Sequence, residues 1–267
     1  MSVRRFVVLT LWGSLLFLDA SPATAQVSGP LQQKEERSVQ FLPRYAFHLG
    51  AEHLSAGSSR FVWDTNFGGE IDFVDYGFGR ATFGANYQAI LGNEIRAFDP
   101  NQGNYTINAL LSGRHKGFEA AVQFYHQSRH FSDRFKVTPI DWNMVGARLG
   151  RTISHDTLIL ETRIDARKVV KRTTVDYRWE LEADMSIRRP LPHGTALIGG
   201  LTGRIVGVDG SQNRGTQHGF RAEGGLRFEG KAGAVEFFMA DERRIDPYPL
   251  EFGTAHWVSL GFRFLSR

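Results

Sequence analysis

A histidine and a serine occupy alternate positions in segment 125–134, YHQSRHFSDR. His126 and Ser128 are two residues apart, and side chains at that spacing share one face of a β-strand. A serine hydroxyl becomes a nucleophile when a neighbouring base takes its proton, and that base needs a third group to fix its tautomer. The segment is therefore either a catalytic pair or the polar end of a strand.

Strict alternation of apolar and polar residues marks much of the chain and is clearest in segment 175–187. Every second side chain there is apolar, and most of the positions between them are charged. A helix would mix the two sets, whereas a strand places them on opposite faces. We therefore predict a strand with one apolar face and one charged face.

About twelve segments share this period, separated by clusters of Gly, Asn, Asp and Pro. They cover residues 43–52, 61–74, 79–90, 104–114, 117–128, 140–151, 155–167, 173–188, 194–206, 216–229, 232–242 and 254–265. Each is long enough to cross a membrane at a tilt, and short connections mostly alternate with longer ones. This pattern predicts an all-β fold, an antiparallel transmembrane β-barrel of about twelve strands. A soluble β-sandwich is the alternative, but it gives no reason for so many consecutive hairpins.

The first 25 residues have the pattern of a secretory signal peptide. Residues 1–5 contain two arginines, residues 6–18 are apolar, and Ala23 and Ala25 form a small-residue cleavage site. We expect residues 26–42 to be a periplasmic N-terminal segment and residues 43–267 to be a barrel in the bacterial outer membrane. The absence of cysteine from the sequence excludes disulfides and a lipoprotein anchor.

The two faces of the strands predict two environments. The apolar faces meet lipid, so the charged faces fill the lumen. We expect pairing inside the lumen for Asp176, Arg178, Glu180, Glu161, Arg163 and Asp165. Such pairs favour a plugged lumen, with an ion-selective pore as the alternative. Candidates for the aromatic girdles outside are Tyr87, Tyr105, Tyr177, Trp179, Trp257 and Phe264.

The formal net charge of +4 is spread along the chain without a basic cluster, so nothing indicates a nucleic-acid partner. Membrane lipids and the barrel-assembly machinery, during insertion, are the expected partners. The histidines are scattered, and only His126 and His130 approach zinc-ligand spacing, without an evident third ligand.

The register of the fifth and sixth segments decides where the His-Ser pair points. The apolar set of the fifth segment is Phe118, Ala120, Val122 and Phe124. Counting on by two reaches His126 and Ser128, so both project toward lipid. Counting back from Val145 in the sixth segment reaches Asn143 and Asp141, which fall opposite them across the hairpin. Ser128 as nucleophile, His126 as base and Asn143, or Asp141 as its substitute, as orienting group would act on acyl esters of membrane lipids.

The residues His126-Gln-Ser128, Ser132-Asp133 and Trp142-Asn143 resemble the active-site hairpin of the outer-membrane phospholipase A family. The resemblance implies a twelve-stranded barrel with a Ser-His-Asn triad on its lipid-facing wall, calcium dependence and a homodimer. Ser132 and Asp133 are the candidate oxygen ligands of calcium. A lipid A deacylase family has a similar His-x-Ser arrangement. The chain departs from the phospholipase pattern after the serine, where Arg129-His130 replaces Asn-Gly and the connection is about three residues longer.

The pattern Tyr-His-Gln-Ser-x-His-x-x-Asp also resembles the signature of a family of uncharacterised bacterial envelope proteins. That resemblance implies a location and no activity, and it gives His130 and Asp133 as much weight as His126. The sequence thus leaves two functions open. One is a phospholipase A-like serine hydrolase of lipid acyl esters. The other is a non-catalytic outer-membrane barrel, a small pore or a structural envelope protein, in which His126 and Ser128 bind headgroups.

Overall fold

The computed structural model describes residues 38–132 and 138–266, which form twelve antiparallel strands. The first six are β1 (Gln40–Leu54), β2 (Trp63–Asp75), β3 (Arg80–Gly92), β4 (Asp99–His115), β5 (Phe118–Phe131) and β6 (Ile140–His155). The others are β7 (Leu158–Thr173), β8 (Tyr177–Leu191), β9 (Thr195–Val208), β10 (Gln217–Glu229), β11 (Gly233–Ile245) and β12 (Thr254–Ser266). In these two ranges there is no helix long and apolar enough to cross a membrane.

Each strand pairs with the next along the chain, and β12 returns to pair with β1. The sheet is therefore a closed barrel, which is how strands satisfy all their backbone groups in lipid. The predicted fold class and strand number are confirmed. The barrel begins at Gln40, whereas the sequence pattern placed its start at residue 43. The expected signal peptide and most of the expected periplasmic segment lie outside the described residues.

The two ends of the barrel differ in the length of their connections. Tight turns join β2 to β3, β4 to β5, β6 to β7, β8 to β9 and β10 to β11 at one end. The turn between β4 and β5 contains Gly117 with φ of 79°, which glycine adopts without steric cost. Most connections at the other end are longer, and we assign that outer end to the cell exterior and the tight-turn end to the periplasm.

The outside of the barrel is apolar and its inside is charged. Large exposed apolar side chains include Phe47, Leu49, Phe67, Leu111, Val122, Ile164, Leu201, Phe237, Met239 and Phe264. Buried charged side chains include Glu52, Asp165, Arg167, Glu180, Glu182, Arg204, Arg221, Glu242 and Arg244. The strands therefore place their two faces in lipid and lumen as the alternation predicts.

Ion pairs between strands neutralise the charges in the lumen. Arg167 on β7 contacts Glu180 and Glu182 on β8 at 2.6 and 3.2 Å. Arg221 on β10 contacts Glu52 and Glu242, each at 3.0 Å. A buried charge is costly unless it is paired, so these contacts explain how the lumen holds so many.

A group of packed apolar side chains lies at the outer end of the lumen, near the β11–β12 connection. The apolar group consists of Ile140, Trp142, Met144, Val175, Tyr177, Val206 and Ile245. Asp246, at the start of the connection, accepts hydrogen bonds from Tyr177 at 2.6 Å and from Arg214 at 2.7 and 2.9 Å. Burial opposes the charge of Arg214, but hydrogen bonds to Asp176 and Asp246 outweigh it and raise the pKa of Arg214.

The lumen holds a cavity of about 920 Å³ at its periplasmic end, between Gln40, Arg114 and Glu229. A second cavity, of about 40 Å³, lies in the outer half next to Gln102 and Arg129. The plugged lumen stays a prediction.

Three residues lie on the opposite face of the barrel from the one predicted. Two of them are at a bulge on β8, and the third is on β12. The register shifts between Tyr177 and Trp179, so Tyr177 is buried in the lumen while Arg178 is exposed. Tyr177 was expected in an aromatic girdle and Arg178 in the lumen, and both expectations are wrong because the extra residue exchanges the faces. Trp257 is also buried, with Arg244 4.9 Å from its ring, and is not part of a girdle.

Candidate functional site

His126 on β5 and Asn143 on β6 face each other on the outer wall of the barrel. Nδ1 of His126 lies 2.8 Å from Oδ1 of Asn143. Because an amide oxygen accepts hydrogen bonds, this contact places a hydrogen on Nδ1 of His126. The register predicted this pairing, and it gives His126 the tautomer that a general base needs.

Ser128 lies two residues closer to the outer end than His126, on the same face of β5. Its Oγ is 3.2 Å from Nε2 of His130, and its exposure is only 8%. Ser128 and His126 share no hydrogen bond in the described part of the chain. The structure thus pairs His126 with Asn143 and Ser128 with His130, as neighbours on one face.

A row of aromatic rings runs along the outer wall from β2 to β4 and reaches Ser128 at Tyr105. The ring centroids of Phe67 and Tyr87 are 5.4 Å apart, and those of Tyr87 and Tyr105 are 4.8 Å apart. Tyr105 also lies 5.4 Å from the ring of His130 and pairs directly with Ser128 across β4 and β5. An apolar surface with a polar edge therefore adjoins the serine.

Asp141, the predicted substitute for Asn143, has its own partner. It lies opposite Ser128 on one side and opposite Thr173 of β7 on the other. The hydroxyl of Thr173 donates to the carboxylate of Asp141, and the backbone nitrogen of Asp141 donates to Oγ1 of Thr173 at 3.1 Å. Asn143, rather than Asp141, contacts the ring of His126.

The described residues around Ser128 do not fit a calcium site. Calcium takes six to eight oxygen ligands, among them carboxylates. Ser132 offers a hydroxyl near the rim, but Asp133, its predicted companion, lies outside the described residues. Asp141 is the carboxylate opposite Ser128, and Thr173 holds it. Three clustered carboxylates occur instead in the lumen, at Asp165, Glu182 and Asp184, where arginines pair with them.

Sequence reasoning gave too little weight to His130 as the partner of Ser128 and did not foresee the aromatic row. His130 follows Ser128 by two residues, so the same alternation that places His126 on this face also places His130 there. Gly103 on β4 gave a further signal, because a Cβ at that position would lie 2.7 Å from the hydroxyl of Tyr87. A larger residue at this position would displace the tyrosine ring.

Comparisons with known proteins identify the fold of this chain. No family model matches the sequence, and no curated protein matches it. Outer membrane phospholipase A from Escherichia coli aligns with a TM-score of 0.50 and 14% identity, over 84% of this chain and 97% of that one. An outer membrane channel from Pseudomonas putida F1 aligns with a TM-score of 0.51 and 12% identity, over 83% and 94%.

A third solved structure is the outer membrane phospholipase of Salmonella typhi, a dimer with bound calcium. It aligns with a TM-score of 0.50 and 14% identity, over 83% of this chain and 90% of that one. Identities this low show the fold alone, and the neighbours include both an enzyme and a channel. The chain has the fold of a bacterial outer-membrane β-barrel.

Proposed function

We propose that this barrel hydrolyses acyl esters of membrane lipids at its outer wall, with Ser128 as the nucleophile. The observation that carries the proposal is the 2.8 Å contact between Nδ1 of His126 and Oδ1 of Asn143, on the same face as the serine. A histidine held in this tautomer beside a hydroxyl is the arrangement that nucleophilic catalysis needs. The low-identity likeness to outer membrane phospholipase A supports the proposal only through the fold.

The proposed reaction has two steps, and His126 accepts and returns one proton in each. Oγ of Ser128 attacks the ester carbonyl while Nε2 of His126 takes the hydroxyl proton. His126 then gives this proton to the leaving alcohol oxygen, which releases a lysolipid and leaves an acyl-serine. In the second step His126 activates a water, which releases the fatty acid and restores the serine hydroxyl. Asn143 keeps the ring oriented throughout.

The contact between Ser128 and His130 is the resting arrangement in this scheme. Rotation about the Cα–Cβ bond of Ser128 moves Oγ between staggered positions, away from His130 and toward His126. Catalytic hydrogen bonds are often long or misaligned before substrate binds. His130 then keeps contact with the ring of Tyr105, 5.4 Å away.

The surroundings of Ser128 suit a lipid ester. The aromatic row of Phe67, Tyr87 and Tyr105 gives acyl chains a rigid surface, and aromatic side chains favour the depth where carbonyls of lipids lie. A homodimer, which the family resemblance implies, is part of the proposal. No catalytic step is assigned to calcium, since the described residues do not form its site.

The test is release of fatty acid from mixed phospholipid and lipid A micelles by refolded protein, with calcium and with chelator. Wild type should release fatty acid, and Ser128→Ala should not, while both show the heat-modifiable migration of a folded barrel. Thr254→Ala, which removes an exposed hydroxyl elsewhere on the outer wall, is the matched control. Full activity of Ser128→Ala would remove this serine from the mechanism.

A non-catalytic envelope barrel is the second candidate, and the Ser128–His130 contact favours it. With Oγ of Ser128 3.2 Å from His130, the serine has a partner without any catalytic relay. No release from folded wild-type protein would support this reading. Within it, the ion pairs across the lumen favour a structural role over a pore, so bilayer recordings should show no steady open current.

A further inference from the structure

Three exposed basic side chains lie together on the outer wall at β7 and β8. They are Lys168, Lys171 and Arg178. Within residues 38–132 and 138–266 none of them has an ion pair, a hydrogen bond or a ring contact. Most of the described arginines, by contrast, are held by carboxylates in the lumen. We name this group the basic patch.

Strand register places the basic patch beside the candidate site and on the lipid side. Lys171 pairs with Asn143 of β6, and Lys168 pairs with Val145 of β6 and with Trp179 of β8. Val145 and Trp179 are exposed apolar side chains of the outer wall. Residues paired across neighbouring strands share a face, so both lysines point away from the lumen.

The bulge on β8 brings the third cation to this surface. The register shift between Tyr177 and Trp179 makes Arg178 the extra residue, so two successive side chains are exposed. Without the bulge, Arg178 would face the lumen, as simple alternation predicts. The indole of Trp179 lies over Gly207 of β9, where a Cβ would come within 2.1 Å of its nitrogen. This packing fixes the edge of the basic patch.

The depth of the basic patch selects its ligand. It lies toward the outer end of the barrel, where the exposed Lys168 and Lys171 flank the exposed Val170 on β7. Long basic side chains at such a boundary extend their charge to the headgroups. Unpaired cations there attract anions, and Arg binds phosphate oxygens in a bidentate fashion while Lys acts as a point charge.

We propose that the basic patch binds the phosphorylated headgroup of lipopolysaccharide in the outer leaflet. Two residues lie between Lys168 and Lys171, and their partners on β6, Asn143 and Val145, are two positions apart, about 7 Å along a strand. A headgroup with two phosphates therefore engages both lysines. The site goes beyond the proposed hydrolysis, since binding there needs neither Ser128 nor His126. It holds an anionic lipid next to Asn143 on the open side of the candidate site, opposite the aromatic row.

The experiment measures binding of lipopolysaccharide to refolded full-length protein in zwitterionic detergent. The test variant is Lys168→Gln, Lys171→Gln and Arg178→Gln together. The control variant is Lys116→Gln, Arg189→Gln and Lys231→Gln, which removes the same charge from exposed positions at the periplasmic end. Monophosphoryl lipid A and phosphatidylglycerol serve as comparison ligands.

We expect the test variant to bind lipopolysaccharide about 100-fold more weakly than wild type, and the control to bind as wild type does. Binding of wild type should weaken with added salt and with loss of one phosphate from the ligand. Equal binding by the test and control variants would overturn the proposal, as would a preference for phosphatidylglycerol. Repeating the titration with Ser128→Ala separates this outcome from that of the hydrolysis, because no catalytic step enters the readout.

Discussion

Two histidines on the outer wall are each held by a polar partner on a neighbouring strand. Nδ1 of His126 contacts Asn143 at 2.8 Å, and Nε2 of His256 on β12 contacts Asp241 on β11 at 2.7 Å. Both pairs lie toward the outer end, and both have a hydroxyl residue two positions nearer that end. Residue types and spacing alone would therefore mark both as candidate relays.

The two sites differ in the burial of their hydroxyl groups. Ser128 is 8% exposed and lies opposite Tyr105, whereas Thr254 is exposed, and the side chains of His256 and Asp241 are 59% and 48% exposed. An exposed pair is screened, and both of its members can turn to other partners. A relay on a barrel wall is therefore defined by the burial of its groups as much as by their types and spacing.

The largest expected difference between the sites lies in their hydroxyls. Ser128→Ala should lower fatty-acid release by at least about 1,000-fold, because the nucleophile is lost. Thr254→Ala should leave release unchanged. The measurement is initial rate on phospholipid micelles at matched amounts of folded barrel. Loss of activity in Thr254→Ala instead would transfer the proposal to β12.

The second largest difference in fatty-acid release is expected between variants of the two histidines. His126→Ala should lower release by about 100- to 10,000-fold, the usual contribution of a general base, and His256→Ala should have no effect. Single-turnover rates with saturating lipid would separate this loss from a change in lipid binding. Equal losses in both variants would show that the effect is one of barrel stability rather than of chemistry.

A smaller difference in activity is expected between variants of the residues that hold these histidines, Asn143 and Asp241. Asn143→Ala should lower kcat by up to about 100-fold with little change in KM, since a misoriented base still binds lipid normally. Asp241→Ala should change neither parameter. A rise in KM for Asn143→Ala with unchanged kcat would instead assign Asn143 to lipid binding.

The smallest effect is expected at His130. Its contact with Ser128 is a single hydrogen bond of about 0.5–1.5 kcal/mol, so His130→Ala should alter release by about 2- to 10-fold. The measurement is the same initial rate, compared directly with His126→Ala. A loss of release in His130→Ala that exceeds the loss in His126→Ala would make His130 the base.

The sequence predicted the parts of this molecule that depend on alternation. The barrel, its faces and the pairing of His126 with Asn143 all follow from counting by two, because a closed sheet with one lipid face allows one register. The bulge at Arg178 breaks that count, so Tyr177 could not be placed. Trp257 precedes the exposed Val258, so the same count places it in the lumen, and its girdle prediction rested on residue type alone.

The side-chain contacts of the candidate site were less predictable. His130 and His126 are equally spaced from Ser128, so only the three-dimensional structure shows that Ser128 contacts His130. The aromatic row that reaches Ser128 comes from three other strands, β2, β3 and β4. Such contacts depend on the packing of several strands at once, which no single segment records.

The seam between β1 and β12 is the one non-local pairing among the twelve described strands. It joins His48 to Leu265, whereas every other strand pair is a hairpin of neighbours. Each hairpin can form early, because closing a short loop costs little entropy. The seam pairs the two ends of the chain, so it forms last and slows folding. Until it closes, two strand edges face hydrocarbon with unpaired amides. Closure of this seam is therefore the expected rate-limiting step of insertion, and the step at which an assembly catalyst would act.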